Sequence, residues 1–584
     1  MRRLFVRLST LVALPLLVAG CGHSEFSGAN VLVIGIDTLR RDRVGCYGYE
    51  RPTTPRIDTL AVEGVVFEDA VAQAPWTLPS FASIFTGLIP SAHRAGEGTG
   101  WKRTPLAPHI PRLMTELKSR GWKTGCFVSN GFVGADVGLT EGCDEHYQWI
   151  DSRAAVEKAT IFLRAYANRE RFFAFVHLVD PHHPYEPRAE DAEPFLDPKY
   201  DGPIGKKFTQ FPPPPNMTDA DRQRISDLYD GEVHASDRLT GKLIDLLREL
   251  GVLEHTLVVV ISDHGEELFD HGFIGHGHTM FDELLRVPFV IRFPGGRLRA
   301  RVAPQVRAMD MFPTVLDALG LPIPPNLQGV SRMALIRGTT PPPGGEFAIA
   351  ELPYNAPEKK VVRRPDFKII YTPLENKTVA YDLSRDPHEM IDVSAKRASD
   401  VAGLRVVLES EALQRTEGFQ IVARSGKVDH RLHLHLESAG GFTDVGVVGS
   451  EDGDSATLSA DGHTIDATFV LPAAPTEVKF ADDDALRFRL ASDANFTLSA
   501  DLEGDPNAFL NPFLGSPTVR LEGKQPWQIR FDDARLVVPF TPTLPAAREG
   551  SVRLAVYRVR RPAVSAATLD AKTRESLRAL GYAE

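Results

Sequence analysis

Cysteine is scarce in this chain, which has four among its 584 residues. If Cys21 carries a lipid, Cys46, Cys126 and Cys143 remain, and three thiols allow at most one internal disulfide. Their spacing matches no zinc site, and none lies in a reactive motif. We therefore expect these three cysteines to be buried or paired and to take no part in catalysis.

The chain has fewer positively than negatively charged residues, and no stretch after the N-terminal segment is apolar for long enough to span a membrane. The chain has 66 Lys and Arg against 77 Asp and Glu, which gives a net charge of -11. This balance argues against a nucleic-acid-binding surface, although one basic pocket for an anionic substrate would not show in the sum. With 43% hydrophobic and 24% charged residues, the composition is that of a globular protein.

The N-terminus has the features of an export signal. Arg2, Arg3 and Arg7 surround the start of an apolar stretch, residues 8–20, that is too short to span a bilayer. The stretch ends in Val-Ala-Gly before Cys21, which resembles a bacterial lipobox. We expect residues 1–20 to be removed and Cys21 to carry lipid; the alternative is an ordinary signal peptide. The predicted location is the periplasmic face of the cell envelope, with the outer membrane favoured because glycine follows Cys21.

The main part of the chain alternates strand-like and helix-like stretches. Apolar runs at residues 31–36, 172–176 and 257–261 are typical of strands buried on both faces, and residues 225–250 have helical spacing. This pattern predicts an α/β fold with a mostly parallel sheet sandwiched by helices. Residues 417–560 instead alternate apolar and polar positions between Asp-Gly turns, which predicts an appended β-sandwich-like domain. There, His433 and His435 alternate with leucines and are interpreted as the polar face of a strand.

Each of the three apolar runs ends in chemically capable side chains. Asp37 follows the first, His177 and His182 follow the second, and Asp263-His264 follow the third. Ligands of such sheets bind beyond the carboxyl ends of the strands, so we expect these side chains to share one site. Asp37, Asp263 and His264 offer oxygen and nitrogen ligands to a cation. The alternative is that the aspartates cap helices and His264 is an ordinary loop residue.

Two further segments carry candidate groups. Thr77 stands between prolines where a helix is predicted to begin, a place suited to a nucleophile that faces an anionic ester, although the position also suits a simple N-cap. His271, His276 and His278 lie among glycines within eight residues. They are candidates for a metal ligand, or for a cation or acid near the leaving group, and the alternative is a solvated loop.

These motifs, in this order, resemble the sulfatase family of the alkaline-phosphatase superfamily. The resemblance extends from about residue 30 to 394, plus the final helix. It rests on residues 36–42 and 46–49, the segment 74–90, the loop 178–185, residues 262–265 with 275–277 and 286–288, and residues 381–389.

The resemblance implies a set of site residues and a cofactor. A divalent ion (Ca, Mn, Zn or Mg) would be held by Asp37, Thr77, Asp263 and His264, and Thr77 would attack sulfur or phosphorus to give a covalent intermediate. His182 and His276 would be catalytic, and the substrate would be bound by Asn130, His182 and His278.

Three departures from the family pattern bear on the chemistry. Thr77 stands where sulfatases have the cysteine or serine that is oxidised to formylglycine, and oxidation of threonine would give a ketone, so no formylglycine is expected. Phe81 replaces the usual arginine, and Thr38 replaces a second aspartate ligand. These changes favour phosphoryl chemistry or a divergent sulfatase.

The predicted organisation is a signal peptide (1–20), a linker (21–29), a sulfatase-like α/β domain (30–340), a small C-terminal α+β subdomain (341–416), a β-rich accessory domain (417–560) and a final helix (561–584). The predicted function is metal-dependent hydrolysis of a sulfate- or phosphate-type ester on a glycan or lipid-type substrate, at a lipid-anchored location and without nucleic acid. Alternatives are a phosphoethanolamine-type transferase, a phosphodiesterase, or a non-catalytic surface module that binds an anionic glycan.

Overall fold

The structure is a computed structural model, and its central element is an eight-stranded sheet. The residues it describes are 25–96, 102–108, 110–325, 327–340, 346–352, 358–372, 377–408, 418–425, 429–448, 455–471, 484–490, 496–503, 509–512, 526–529, 537–538, 551–559 and 567–568. The strands of the sheet are β1 (Asn30–Ile36), β2 (Val65–Phe67), β3 (Lys123–Val128), β4 (Glu145–Gln148), β5 (Phe172–Leu178), β6 (Thr256–Ser262), β7 (Phe289–Arg292) and β8 (Ala300–Val302). Their spatial order is β8-β2-β7-β6-β1-β5-β3-β4, and only β7 runs antiparallel to its neighbours.

Helices cover both faces of this sheet, which confirms the predicted α/β architecture. The main ones are α1 (Pro55–Val62), α2 (Thr77–Thr86), α3 (Ser152–Tyr166) and α4 (Asp219–Glu249). Along β1, Val31 and Val33 belong to one hydrophobic core while Leu32 and Ile34 belong to the other, so the strand is apolar on both faces, as its unbroken apolar run predicts. Shorter helices are Pro90–His93, Leu113–Ser119, Ala189–Ala192, Asp282–Leu285, Met311–Ala318 and Met333–Ile336.

A four-stranded antiparallel sheet follows, formed by Ala348–Leu352, Lys359–Arg364, Phe367–Thr372 and Lys377–Asp382. Helix Ala398–Leu408 packs on it, because Leu404 and Leu408 share a core with Phe367 and Ile369. This is the α+β piece that the sequence predicts, although nothing tests the predicted domain boundaries at 340 and 416.

The β-rich region contains two sheets around a common core. One has strands Gly418–Ser425, Phe442–Val448, Asp484–Leu490, Phe509–Pro512, Val537–Val538 and Ser551–Val559; the other has His430–Glu437, Ser455–Leu458, Thr464–Leu471, Phe496–Glu503 and Trp527–Ile529. Leu432, Leu434 and Leu436 are buried in that core, whereas His433 is exposed and His435 is partly exposed, which agrees with the predicted alternation. The helix predicted near the C-terminus lies outside the described residues.

The cysteines behave as the sequence suggests. Cys126 on β3 forms a disulfide with Cys143, and Cys46 is a half-buried free thiol. Burial raises the pKa of Cys46 to about 12, so it stays protonated at neutral pH and is a poor nucleophile. Among the described residues, the helices are all too short or too polar to cross a membrane.

One buried carboxylate holds α1 against α4 and gives the fold a pH dependence. Asp237 on α4 accepts hydrogen bonds from the backbone amides of Arg56 (3.0 Å) and Ile57 (2.8 Å) at the start of α1. Burial raises the pKa of Asp237 to about 7. Between its unfolded pKa of 3.8 and about pH 7, the native state therefore keeps a proton that the unfolded state has lost. The contribution of this group to stability is thus full at low pH and is lost as pH rises through 7.

Replacing this group by a neutral one should remove that dependence. Asp237→Asn keeps an oxygen that accepts both amides, so at pH 8 we expect the variant to exceed wild type in unfolding free energy, by up to ~4 kcal/mol. At pH 4 the two should be close. The measurement is the melting temperature of each protein at both values, with Asp245→Asn, an exposed carboxylate on the same helix, as the matched control. A stability difference independent of pH would contradict the assignment.

Candidate active site

Asp37, Asp263 and His264 meet at the carboxyl ends of neighbouring strands. Asp37 follows β1, and Asp263-His264 follow β6, which pairs with β1 in parallel so that Ile36 lies opposite Ser262. The His264 Nε2 atom lies 3.6 Å from Asp37 Oδ1 and 3.3 Å from Asp263 Oδ2. All three residues have no exposed surface. The strand ends therefore bring these residues together as the sequence predicts.

Hydrogen bonds between the two turns lock this geometry. The Thr38 amide donates to Asp263 Oδ1 (3.3 Å), and the Leu39 amide donates to Ser262 Oγ (3.1 Å). Ser262 Oγ in turn donates to the carbonyl of His264 (2.7 Å). Thr38 has a φ of 53°, which is strained for a β-branched residue, and such strain collects at functional sites because the surroundings hold it.

The donor atoms of this cluster fit a divalent cation. His264 Nδ1 lies 2.8 Å from the Gly265 carbonyl, which can only accept, so the proton is on Nδ1 and the Nε2 lone pair faces the carboxylates. Asp37 Oδ1 and Asp263 Oδ2 are buried and have no hydrogen-bond partner. Burial, and next the charge of Asp37, raise the pKa of Asp263 well above its usual value. A cation between these atoms would satisfy both oxygens and offset that repulsion.

Thr77 is placed beside this cluster. It is the first residue of α2, and Trp76 occupies the N-cap position, so Thr77 is not the cap of its own helix. Its Oγ1 lies 3.4 Å from His264 Nε2. Ser80 Oγ, one turn later, donates to the carbonyl of Asp263 (2.6 Å) and so ties α2 to the β6 turn. The hydroxyl thus stands at the positive end of a helix and next to the cluster's imidazole nitrogen.

Phe81 sets how closely α2 approaches the sheet. Its ring is fully buried, and its centroid is 5.1 Å from that of His177 and 5.7 Å from that of Phe175. Gly35 of β1 makes room for it, since a Cβ there would lie 2.8 Å from the Phe81 ring. Phe81, which stands where the resemblance would place an arginine, therefore packs between α2 and the sheet. It puts no positive charge at this position of the site.

Two histidines extend the site outward from His264. The ring of His276 is centred 4.5 Å from that of His264 and 4.8 Å from that of His182. The loop that carries His276 is bound to the segment that precedes Thr77, because the Gly277 amide donates to the carbonyl of Pro75 (3.0 Å). Burial lowers the pKa of His182, and it lowers the pKa of His276 to about 4. These predicted catalytic residues therefore share one cluster with Thr77.

Asn130 lies at the same site, where its side chain contacts Asp37, one of the proposed metal ligands. Its Nδ2 donates to Asp37 Oδ2 (2.9 Å), and its Oδ1 accepts from the Phe132 amide (2.9 Å). Both ends of the amide are therefore engaged, and Asn130 orients Asp37. The predicted contact of Asn130 with substrate stays a prediction.

The other two histidines of the loop have carboxylate partners. His278 Nε2 lies 3.6 Å from Glu267 Oε2, and its Nδ1 lies 3.0 Å from the carbonyl of His276. His271 lies 2.6 Å from Glu283 through Nδ1 and 3.0 Å from the carbonyl of His388 through Nε2. His271 therefore links the loop to the C-terminal piece, and the predicted role of His278 in substrate binding stays a prediction.

Two residues of the site were missed by the sequence-based assignment of roles. Glu266 is fully buried, and its Oε1 lies 2.8 Å from His276 Nδ1. His177, at the end of β5, has its Nε2 3.4 Å from Asp37 Oδ2. The strand-end pattern predicts that His177 shares this site, but no role was assigned to it; in the β1–β5 register it stands opposite Gly35. For Glu266, the available signal was its place directly after the Asp263-His264-Gly265 turn.

Family models and curated proteins agree on the relatives of this chain. The sulfatase model matches residues 29–321, and a model described as the C-terminal part of N-sulphoglucosamine sulphohydrolase matches residues 269–414. An arylsulfatase of Clostridium perfringens is 23% identical, and the match covers 67% of this chain and 95% of the relative. An endo-4-O-sulfatase of Bacteroides thetaiotaomicron is 30% identical, over 50% of this chain and 67% of the relative.

Solved structures agree on the fold. The phosphonate monoester hydrolase of Agrobacterium radiobacter superimposes with a TM-score of 0.56 and 22% identity, covering 66% of this chain and 96% of that one. A protein solved with its substrate D-glucosamine-2-N,6-O-disulfate gives a TM-score of 0.56 and 19% identity, covering 66% of this chain and 98% of that one. Since the sulfatase model spans half of the sequence and the matched residues include the whole cluster around Thr77, the chain belongs to the sulfatase family of the alkaline-phosphatase superfamily.

Proposed function

We propose that this protein hydrolyses sulfate esters of glycans, with Thr77 as nucleophile and a divalent metal ion as cofactor. The observation that carries the proposal is the position of Thr77 Oγ1, 3.4 Å from the same His264 nitrogen that faces Asp37 and Asp263. A nucleophile, three metal-type ligands and two further imidazoles thus surround one point at a strand-end edge. The arrangement supports catalysis over a purely binding role, because it holds a hydroxyl beside the buried ligand-type residues.

The residues that would hold the ion are Asp37, Asp263 and His264, with Thr77 as a fourth ligand. When bound there, a divalent ion would supply positive charge that lowers the pKa of the Thr77 hydroxyl. The same charge would stabilise the negative charge on the oxygens of the ester. Its identity is open among Ca, Mn, Zn and Mg, since a mixed oxygen and nitrogen set suits several of them.

The chain's own residues account for the remaining steps. The Thr77 hydroxyl loses its proton to water as its oxygen forms a bond to sulfur. The bond from sulfur to the leaving oxygen breaks, and the electron pair of that bond goes to the leaving oxygen. His276 or His182 gives the leaving oxygen a proton, which makes the alcohol product. A bound anion opposes the effect of burial on these imidazoles and favours their charged form. Water then attacks sulfur, the bond to Thr77 breaks, and Thr77 regains its proton.

A phosphorus ester is the second candidate substrate. Thr77 and Phe81 depart from the pattern of formylglycine sulfatases, and phosphonate monoester hydrolases are among the structural neighbours. The curated relatives, by contrast, include sulfatases whose names specify hexuronate, ulvan and N-acetylglucosamine substrates. We therefore place sulfated glycans first, and phosphodiesters and phosphonate monoesters second.

A substrate panel separates these candidates. Metal-loaded protein is assayed for released sulfate with sulfated disaccharides, and for released alcohol with an aryl phosphonate monoester and an aryl phosphodiester. We expect turnover of at least one sulfated disaccharide, with kcat in the range of about 1–10³ s⁻¹ typical of enzymes. Turnover confined to the phosphorus esters would move the assignment to the second candidate. Metal-loaded protein inactive on the whole panel, yet binding sulfated glycans, would favour a non-catalytic surface module.

We also propose that the protein works outside the cytoplasm, anchored by lipid on Cys21. The supporting features are the basic and apolar N-terminus that ends in Val-Ala-Gly-Cys and the Cys126–Cys143 disulfide, a bond that persists in oxidising compartments. A glycan hydrolase so placed would meet its substrate at the cell surface or in the periplasm.

A further inference from the structure

Two phenylalanines near the proposed catalytic histidines are exposed to solvent. Phe211 is 56% exposed and lies in the proline-rich loop at residues 211–215, and Phe273 is 53% exposed. Phe273 lies in the turn of a hairpin whose strands are Glu267–Leu268 and Ile274–Gly275. A single exposed ring needs no explanation, but two beside one site indicate a surface that binds an apolar group.

The two rings flank the same short stretch of the loop. A Cβ on Gly275 would lie 3.4 Å from the Phe211 ring and 4.0 Å from the His278 ring. The ring of Phe273 is centred 5.3 Å from that of His278. Phe211 therefore borders Gly275 and Phe273 borders His278. Between these two positions lies His276, which belongs to the proposed catalytic cluster.

A row of rings connects this pair to the nucleophile. From Thr77 outward, His264, His276 and His182 follow one another with centroid separations of 4.5 and 4.8 Å. His183 follows His182 in sequence, and its ring is centred 5.9 Å from that of Phe211. His264, His182 and His183 are buried, His276 is partly exposed, and Phe211 at the outer end is 56% exposed. The phenyl rings thus stand where the part of a substrate beyond the ester oxygen leaves the site.

Both rings are carried by braced backbone. Tyr185 and Phe208 exchange backbone hydrogen bonds of 2.9 and 2.8 Å, which fixes the start of the proline-rich loop against the segment that carries His182 and His183. In the hairpin turn, the Phe269 amide donates to the carbonyl of Phe273 (2.7 Å). Loop backbone held in this way loses little conformational entropy when a ligand stacks on the two rings.

We propose that Phe211 and Phe273 form a leaving-group subsite that stacks on the apolar C–H face of the sugar ring bearing the ester; this deepens, and rests on, the function proposed above. A phenyl ring offers no charge and no hydrogen bond, so it selects a flat apolar face and not a second sulfate group. A subsite of this kind binds ground state and transition state alike, and its loss raises KM without changing kcat.

The test compares ligands with and without the sugar ring. In a Thr77→Val background that prevents turnover, calorimetry measures the affinity for D-glucosamine-2-N,6-O-disulfate and for inorganic sulfate. We expect Phe211→Ala and Phe273→Ala each to weaken binding of the sugar by about 3- to 10-fold and to leave sulfate affinity unchanged. Ile161→Ala, an exposed apolar residue on α3, is the matched control and should change neither affinity.

Three results would overturn the subsite: unchanged sugar affinity in both phenylalanine variants, equal losses for sugar and sulfate, or a sugar that binds the Thr77→Val protein no better than sulfate does. Turnover by the protein with Thr77 intact is measured separately. If the affinities follow the expected pattern but no ester is cleaved, the proposed hydrolase fails and the subsite stands. If esters are cleaved but the affinities do not follow it, only the subsite fails.

Discussion

Thr77→Val is expected to lower kcat by about 10⁴- to 10⁶-fold, as removal of a nucleophile does in other covalent hydrolases. Valine keeps the branched shape that fills this fully buried position and replaces the hydroxyl by a methyl group of similar size. The fold and the packing of Phe81 should therefore be unchanged, and the ion should keep its other three proposed ligands. The first check is kcat on the best substrate of the panel. The second is the unfolding free energy of the metal-loaded variant, which should stay within about 1 kcal/mol of the wild-type value.

Thr77→Ser is the matched control for this result. Serine keeps the oxygen that stands 3.4 Å from His264 Nε2 and loses only a methyl group. We expect it to retain a large part of the activity. In addition, a rapidly quenched reaction of the wild type should yield a peptide with sulfate or phosphate attached to Thr77. A valine variant with more than a few per cent of wild-type turnover would eliminate Thr77 as nucleophile.

Removal of the divalent ion is expected to abolish activity and to destabilise the fold. Asp37 and Asp263 place two buried carboxylates within reach of one imidazole nitrogen, and burial together with the charge of Asp37 raises the pKa of Asp263. Without the ion, this charge repulsion is not offset. At free metal concentrations of 100 to 1,000 times Kd, binding contributes about 3–4 kcal/mol to stability. Chelation should therefore lower the melting temperature by several degrees and lower kcat by at least about 10³-fold.

Asp263→Asn tests whether the ion is bound where the geometry places it. The amide keeps the side chain's shape and removes its charge, so metal content measured by elemental analysis should fall well below that of the wild type. Asp42→Asn is the matched control, because Asp42 lies on the same segment as Asp37 but pairs with Arg40. If chelator-treated wild type keeps its activity, or Asp263→Asn binds as much metal as Asp42→Asn, this metal site is wrong.

The three metal-type ligands could be predicted because their positions follow from topology. A run such as residues 31–36 is apolar at every position, which indicates a strand buried on both faces, and parallel strands end at one edge. Asp37 directly follows one such run, and Asp263 comes two residues after another. The predicted boundaries of these runs differ by at most two residues from those of β1, β5 and β6.

The partners of individual side chains could not be predicted in the same way. Glu266 and Glu267 are adjacent and chemically alike, yet Glu266 contacts His276 while Glu267 lies nearest His278. Which residue faces which histidine depends on the hairpin's pairing and on rotamers, and neither leaves a pattern in the sequence. Asn130 is a similar case, since its contact with Asp37 spans 93 positions and depends on how β3 is placed beside β5.

The position of β1 has a consequence for how the polypeptide is made. β1 is the first strand of the sheet to leave the ribosome, but it is hydrogen-bonded between β5 and β6, and the partner of Asn30 on β6 is Thr256. The nascent chain therefore cannot close its sheet until that distant segment has been synthesised, because contacts of such long range form late. Until β6 has been synthesised, the apolar edge of β1 that pairs with it stays uncovered, and uncovered strands of this kind are prone to aggregate.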